Sequence, residues 1–313
     1  MIQSFNLVFC GTPAFAVPTL EALAASGFRI RLALTQPDRP KGRGLELVAS
    51  PVKQAAEKLG LPIFQPDKIK NNEELKAKLG EINPAAIVVV GYGRIIPKWM
   101  LDLPKYGNIN LHASLLPKYR GAAPIQWAIA KGETITGATT MRINEGLDTG
   151  DILLQKELPI APDDSSVTLA PRLAEIGADL MIETLRGLEA DTITALRQND
   201  AVATLAPILT KEDGRIVFSR TAQEIYNRFR GFQPWPGAFT TFHAKGLNIT
   251  GMKVASEQVS QGQLLVKGNR LFAGCGAGTA IELLEVQPEG KKRLAAAHFL
   301  QGYRPQSGER FDV

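Results

Sequence analysis

Cysteine is scarce in this sequence: the 313 residues contain two, Cys10 and Cys275, each in an apolar or glycine-rich context. Two isolated cysteines argue against a disulfide framework and against a cysteine-based zinc site. The sequence also has no apolar run near the roughly 20 residues that a membrane-spanning helix needs. Its first residues lack the basic and then apolar pattern of a signal peptide. These absences predict a globular protein of the reducing cytoplasm with no membrane attachment.

An acidic excess is absent as well, since Lys and Arg number 36 against 31 Asp and Glu, a net charge of +5. The excess is confined to the C-terminal third. Residues from Leu209 onward hold 14 Lys and Arg against 9 Asp and Glu, whereas the first 208 residues hold 22 of each. A separate basic region favours a polyanionic partner such as nucleic acid. The alternative, that a small positive charge only keeps the protein soluble, stays open at this point.

Strand and helix patterns alternate in the first half of the chain. Apolar or alternating runs predict strands at 5–10, 29–35, 85–90, 107–111 and 138–143, with helical patterns between several of them. The run at 85–90 is apolar throughout, which is typical of a strand buried on both faces of a parallel sheet. The alternation predicts an α/β fold with a doubly wound, mostly parallel, Rossmann-like sheet.

The pattern changes after about residue 188. Residues 189–208 lose regular periodicity and are interpreted as a linker. Beyond them, a helix at 221–230 precedes short alternating segments separated by Gly and Asn, and this spacing predicts a small antiparallel β-barrel of the OB type. We therefore expect a first domain at 1–188, a linker at 189–208 and a C-terminal barrel domain at 209–313.

Polar side chains gather at the end of the predicted strand 107–111, where ligands bind in open α/β sheets. Asn110 and His112 are two residues apart, so that alternation places them on the same face. A turn-rich segment follows at 113–124, and a second loop at 144–151 contains Asp148 between glycines. Each residue alone is as consistent with a structural hydrogen bond as with catalysis. Together they supply an amide, an imidazole and a carboxylate, which suffice for acyl transfer.

These residues occur in two long motifs, Asn110-x-His112-x-Ser114-Leu115-Leu116-Pro117-x-x-Arg120-Gly121-x-Ala123-Pro124 and Gly146-Leu147-Asp148-Thr149-Gly150-Asp151. Both resemble motifs of the folate-dependent formyltransferases. The resemblance implies that Asn110, His112 and Asp148 are the catalytic residues of a formyltransferase domain. It also implies that 10-formyltetrahydrofolate is the co-substrate, that no metal is required, and that the folate is contacted by Ser114, Leu115, Leu116 and Pro117.

Three further segments resemble the branch of this family whose acceptor is initiator methionyl-tRNA: residues 11–16, the basic insertion 35–44, and residues 230–238. The resemblance implies that Phe15 helps to bind the methionine side chain. It also implies that Arg43 contacts the tRNA acceptor stem and that the C-terminal domain binds tRNA. One chain is sufficient for all of these roles, so we expect a monomer.

Other function classes fit the sequence less well. A nicotinamide-dependent oxidoreductase should have Gly-x-Gly-x-x-Gly after the first strand, where this chain has Gly11-Thr12-Pro13-Ala14-Phe15-Ala16. A tRNA-binding protein without catalysis would not need the three catalytic residues. The strongest alternative is a formyltransferase that acts on a sugar nucleotide or a small amine. Such an enzyme should lack the basic insertion or have a different C-terminal domain.

The expected mechanism leaves one division of roles open. Asn110 and His112 are assigned as hydrogen-bond donors to the formyl oxygen, on which negative charge grows during the reaction. His112 is also a candidate to protonate the leaving folate nitrogen. Asp148 either orients and charges His112 or accepts the proton of the attacking amine, and the sequence does not choose between these roles.

Overall fold

The computed structural model describes residues 5–41 and 46–312. Its contacts divide the chain into two compact units. The first unit comprises Met1–Pro124, Ile135–Pro159 and Ala170–Ala206, and the second comprises Ile125–Thr134, Ile160–Leu169 and Pro207–Val313. The domain boundaries expected at residues 188 and 209 stay a prediction.

The first unit is built on a seven-stranded sheet. In chain order, the strands before residue 160 are β1 Asn6–Gly11, β2 Arg29–Leu34, β3 Arg39–Lys41, β4 Glu46–Val48, β5 Ile63–Phe64, β6 Ala86–Val90, β7 Asn108–His112, β8 Ile135–Arg142 and β9 Ile152–Pro159. The sheet order is β5-β2-β1-β6-β7-β8-β9, while β3 and β4 form a separate hairpin. The first five strands in this order, β5, β2, β1, β6 and β7, are parallel, and β8 is antiparallel to both of its neighbours. The predicted mostly parallel sheet is confirmed.

Helices cover both faces of this sheet. The helices before residue 190 are α1 Val17–Ala25, α2 Pro51–Lys58, α3 Glu73–Ile82, α4 Lys98–Leu101, α5 Pro124–Ala130 and α6 Ser166–Glu189. Of these, α5 falls almost entirely in the second unit. One apolar core joins α1, α2 and α6 to alternate strand residues that include Leu7, Phe9, Ile109 and Leu111. A second core joins α3 and α4 to the strand residues that alternate with those of the first core, such as Val8, Cys10 and Ile87. The doubly wound architecture follows from this two-sided burial.

The order of the strands reverses between β1 and β6. From β1 the chain proceeds through β2 to β5 on one side, and from β6 it proceeds through β7 to β9 on the other. Ligands bind at such switch points, beyond the carboxyl ends of the strands. Strand β9 was not predicted from the sequence, because its outer half is exposed or half-buried and lacks a clear apolar alternation.

The second unit contains an antiparallel sheet of six strands. Its regular elements beyond residue 220 are α7 Ala222–Gly231, β10 Ala238–Phe242, β11 Lys245–Ala255, β12 Leu264–Lys267, β13 Arg270–Gly274, β14 Ala280–Pro288, β15 Leu294–Ala295 and α8 Ala296–Tyr303. The order is β10-β11-β14-β13-β12, with β15 paired to β14. Its apolar core includes Leu247, Leu271, Ile281 and Phe299. This arrangement is consistent with the predicted small barrel.

Membrane insertion of a helix finds no support in the described ranges, 5–41 and 46–312. None of their helices combines the length and the apolar character that crossing a bilayer requires.

Two glycines of the first unit should respond to alanine in opposite directions. A Cβ on Gly80, inside α3, meets nothing within 4 Å, so Gly80→Ala should stabilise the protein by about 1 kcal/mol through helix propensity. A Cβ on Gly137, inside β8, would lie 2.2 Å from the Lys156 carbonyl oxygen and 2.5 Å from Leu115 Cδ2. Gly137→Ala should therefore destabilise it by about 1–3 kcal/mol or more. Urea unfolding measures both, and a Gly137→Ala protein as stable as the parent would contradict this account of the β8–β9 packing.

Candidate active site

Strand β7 positions Asn110 and His112 on one face of the sheet. Ile109 is fully buried in the apolar core and Leu111 is nearly so. Asn110 and His112 alternate with these two residues along the strand and therefore face the opposite side. Asn110 is half-buried and His112 is 5% exposed. β7 pairs with β8 along both residues and with β6 as far as Asn110, so the backbone is held on both edges at Asn110 and on the β8 edge at His112.

The His112 ring has a defined orientation. Its Nε2 lies 2.8 Å from the carbonyl oxygen of Tyr119. Since a carbonyl oxygen can only accept a hydrogen bond, Nε2 carries a proton and donates it. The other ring nitrogen, Nδ1, lies 3.7 Å from Asp148 Oδ2, close enough for an ion pair when the ring is doubly protonated. The Nδ1 edge is therefore the one that faces the carboxylate.

Asp148 lies on the loop between β8 and β9, in a left-handed backbone conformation with φ of 51°. Asp is one of the few residues other than glycine that adopt this conformation at low cost. Its Oδ2 accepts a hydrogen bond of 2.9 Å from the backbone N–H of Gly121. The structure thus brings Asp148 to His112, as the sequence analysis expected, and adds Gly121 as a partner that the analysis did not identify.

The Asn110 amide is uncommitted. Within residues 5–41 and 46–312, no group forms a hydrogen bond with this side chain. A half-buried amide on the same face as His112 can donate to an oxygen of a bound substrate without first breaking an internal bond.

The segment Ser114 to Pro117 folds tightly against β8 and β9. Thr139 is central to this packing, because its Oγ1 donates to the Ser114 carbonyl at 2.6 Å and accepts from the Leu116 N–H at 3.1 Å. Gln155 donates to the Leu116 carbonyl and to Thr139 Oγ1, both at 2.9 Å. Ser114 and Leu116 are buried, whereas Leu115 and Pro117 are half-buried. Contact of these four residues with a folate stays a prediction.

Phe15 and Arg43 are the two residues expected to bind the acceptor. Phe15 lies on a short 3-10 turn after β1, is half-buried, and packs against the core on the α1 face. Arg43 lies outside the described residues. The predicted roles of both residues remain predictions.

The residues just before Arg43 are anchored by polar contacts. Lys53 Nζ lies 2.5 Å from Asp38 Oδ2, and Gln65 donates to Asp38 Oδ1 at 2.8 Å. The hydrogen bond from Lys53, and then that from Gln65, lower the pKa of Asp38 below its usual value. Gln36 donates to the Tyr92 carbonyl at 2.9 Å, which ties the residues after β2 to those after β6.

Several residues that shape this site could not be recognised from the sequence. Thr139 looked like an ordinary strand position, Gln155 lay in no predicted element, and residues 189–208 were interpreted as a linker. Thr204 Oγ1 accepts from the Tyr119 N–H at 2.8 Å, and the Ala206 carbonyl accepts from the Ala123 N–H at 3.2 Å. These contacts join residues some 80 positions apart, and no local pattern could have signalled them.

The arrangement combines a free amide donor, an imidazole with one committed nitrogen, and a carboxylate beside the other nitrogen. Such a set can stabilise a developing oxyanion and transfer a proton, which are the requirements of acyl transfer. In the described part of the chain, no group of three or more His, Cys, Asp or Glu residues could hold a metal ion.

Comparison with protein families gives two matches. A model described as formyl transferase matches residues 5–185, and one described as formyl transferase, C-terminal domain, matches residues 208–304.

Curated relatives and a solved structure extend the comparison. The chain is 62% identical over 304 residues to the methionyl-tRNA formyltransferase of Koribacter versatilis (strain Ellin345), with 97% of each chain covered. It is 62% identical over 299 residues to that of Acidobacterium capsulatum, covering 95% of this chain and 96% of the relative. The crystal structure of WlaRD, a sugar 3N-formyl transferase in the presence of dTDP and 5-N-formyl-THF, matches with a TM-score of 0.66 at 19% identity, covering 93% of this chain and 100% of that one. That structural similarity shows the fold.

Two threonines on β8 provide a matched test of the packing behind the site. Thr139→Val removes a buried hydroxyl that bonds the Ser114 carbonyl, the Leu116 N–H and the Gln155 amide, and leaves buried backbone groups unpaired. We expect a loss of about 1–3 kcal/mol in the free energy of unfolding. Thr136 is equally buried but forms no side-chain hydrogen bond with the described residues, so Thr136→Val should change that free energy by less than about 1 kcal/mol. Equal losses in urea unfolding would refute the role assigned to Thr139.

Proposed function

The chain belongs to the formyl transferase family, and we propose that it transfers the formyl group of 10-formyltetrahydrofolate to the α-amino group of initiator methionyl-tRNA. The observation that carries this proposal is the 62% identity with a methionyl-tRNA formyltransferase over 97% of both chains. The sugar formyltransferase, at 19% identity, supports only a shared fold. The reaction belongs in the cytoplasm, where charged tRNA is used, and a single chain is sufficient for it.

The reaction forms one carbon–nitrogen bond and breaks another. The lone pair of the methionyl amine attacks the formyl carbon, and the π electrons of the carbonyl group move onto the formyl oxygen. When the tetrahedral intermediate collapses, this pair re-forms the carbonyl group and N10 of the folate leaves with the electrons of its bond to carbon. The amine loses one proton and N10 gains one, so the balance needs no oxidant or reductant.

Asn110 stabilises the charge on the formyl oxygen. Its amide is half-buried and is not bonded to any other described residue, so its N–H groups are available to the substrate. A preorganised donor of this kind typically contributes about 10²–10³ in rate. The reference pKa of an α-amine, about 7.7–8.0, leaves a useful fraction of the methionyl amine neutral and able to attack.

His112 moves the proton through Nδ1. Its Nε2 proton is committed to the Tyr119 carbonyl, and the remaining nitrogen faces Asp148 at 3.7 Å. We therefore assign Nδ1 as the atom that takes the proton from the amine and delivers it to N10. Asp148 compensates the positive charge of the ring while that proton is present. This assignment makes Asp148 the partner of His112 and leaves direct deprotonation of the amine to the imidazole.

Substrate binding involves the remaining predicted residues. The half-buried Leu115 and Pro117, next to the buried Ser114 and Leu116, contact the folate. Phe15 contributes apolar surface for the methionine side chain. Arg43 and the basic residues beyond Leu209 bind tRNA phosphates, so that affinity for tRNA falls steeply as salt rises.

Formyl transfer with parallel acceptors tests the proposal. The purified protein is given 10-formyltetrahydrofolate with initiator methionyl-tRNA, elongator methionyl-tRNA, a sugar nucleotide that carries an amine, or no acceptor. We expect rapid formylation of initiator methionyl-tRNA and little of the others. Formylation of the sugar nucleotide alone would keep the formyl transferase family and overturn the proposed acceptor.

Variants separate catalysis from tRNA recognition. His112→Ala should lower kcat by about 10²–10⁴ and leave KM for methionyl-tRNA nearly unchanged, because it removes the proton carrier. Arg43→Ala should instead raise KM for methionyl-tRNA. It should also reduce the slope of log kcat/KM against log salt concentration by about 1, the value for one lost phosphate contact.

Arg29→Ala is the control for loss of a positive charge. Arg29 is exposed at the amino end of β2, the opposite end of the strand from the basic insertion. If Arg29→Ala and Arg43→Ala changed the salt dependence equally, the contact assigned to Arg43 would be wrong.

A further inference from the structure

We propose that Gln198 is a positioning residue for formyl transfer: it holds the loop that carries Asp148 so that the carboxylate stays beside His112. Gln198 lies in the segment that the sequence suggested was a linker, and it is 6% exposed. The inference rests on the proposed function, because it assigns a role in that same reaction.

The amide of Gln198 is fully engaged. Its Nε2 donates to the Asp148 carbonyl at 2.8 Å and to the Gly150 carbonyl at 2.7 Å. Its Oε1 accepts from Arg120, from Nε at 3.0 Å and from Nη2 at 2.8 Å. Carbonyl oxygens only accept and a guanidinium only donates, so these neighbours determine which end of the amide is nitrogen. Two donors meet two acceptors on one side, and one oxygen meets two donors on the other.

The loop depends on these hydrogen bonds because its backbone conformation is unusual. Asp148 has a φ of 51°, in a left-handed region that Asp adopts more readily than most residues but that a loop keeps only when its surroundings enforce it. Gly150 runs so close to β8 that a Cβ there would lie 1.8 Å from the Arg142 carbonyl oxygen. The two bonds from Gln198 reach the main chain on both sides of Thr149, where the loop turns back toward β9.

Asp148 is held at its side chain and at its main chain by one connected set of bonds. The Asp148 carboxylate accepts from the Gly121 N–H at 2.9 Å. Gly121 follows Arg120, whose guanidinium binds Gln198, and Gln198 returns to the Asp148 carbonyl. The Arg120 backbone is also paired on both sides, with the Thr204 carbonyl at 2.8 Å and the Ala206 N–H at 2.7 Å. This closed ring sets the distance between the carboxylate and His112 Nδ1.

The set of hydrogen bonds depends on Gln198 Nε2 being a donor, and replacing this one atom with oxygen tests it. Arg120 is 7% exposed, and its charge is met by Asp200 Oδ1 at 2.8 Å, on a side chain that is itself 74% exposed. Gln198→Glu keeps the shape of the side chain and its bonds to Arg120. It replaces the donating nitrogen with an oxygen that faces two carbonyl oxygens. The hydrogen bonds to the loop are then lost, and the contacts between these oxygens are repulsive. The variant thus disturbs the loop and spares the other half of the ring.

The test measures steady-state formylation of initiator methionyl-tRNA by the full chain, together with hydrogen exchange of residues 144–151. For Gln198→Glu we expect kcat to fall roughly 10- to 100-fold, because the reacting groups are misplaced. We expect KM for methionyl-tRNA to stay within about twofold of the parent, and the 144–151 backbone to exchange faster. Asp200→Asn removes only the negative charge of this exposed partner and keeps an oxygen that can accept from Arg120, so it should behave like the parent in all three measurements.

Gln198→Asn provides a second variant should Gln198→Glu not fold. It keeps the donor but is too short to span both Arg120 and the loop, and kcat should fall with KM retained. A parent-like kcat in either folded variant would overturn the inference. So would a loss of kcat that only follows the unfolded fraction measured by circular dichroism. If the parent itself did not formylate methionyl-tRNA, the proposed function would fail, and unchanged exchange of 144–151 in Gln198→Glu would then overturn the positioning role separately.

Discussion

Strand β7 can face only one way in this sheet, and the candidate active site depends on that constraint. Both edges of the strand are hydrogen-bonded, and Ile109 and Leu111 are at most 3% exposed in the core beneath it. A slip of one residue would bring Asn110 and His112 into the apolar core and push the two aliphatic side chains out. The burial of apolar side chains on one face therefore holds the polar groups of the other face in register.

Close backbone approach is the second level of organisation. A Cβ on Gly121 would lie 2.6 Å from the Ala206 carbonyl oxygen, and Gly121 also has a φ of 121°. Gly150 approaches β8 more closely still. The glycines of both motifs are thus required by contact between chain segments as much as by turn geometry. They let the loops pack tightly enough that the side chains of the candidate site are oriented without a substrate, and preorganised groups are the most effective in electrostatic stabilisation.

The sequence was most informative where local patterns report burial. The apolar run at 85–90 became β6, and the alternation of Asn110 and His112 with Ile109 and Leu111 predicted their shared face correctly. Long specific motifs led to the family, and the full-length relatives confirmed it. The strand β9 escaped prediction because most of its side chains are exposed or half-buried. Gln198 escaped because its partners lie 78 and 50 residues away, and nothing in its own neighbourhood marks it. Arg43 lies outside the described residues, and its role rests on the resemblance alone.

The pairing of residues 198–206 with the turn at 119–123 bears on how such a protein can be divided. The formyl transferase match ends at residue 185, which suggests a natural place to cut. A fragment ending there would retain Asn110, His112 and Asp148 but lose Gln198, whose side chain is hydrogen-bonded to the loop that carries Asp148. A fragment that keeps these contacts around the candidate site therefore extends at least through Ala206. A chimera that exchanges the C-terminal region between relatives should place its junction after that residue, so that residues 198–206 and their partners in the candidate site come from the same parent.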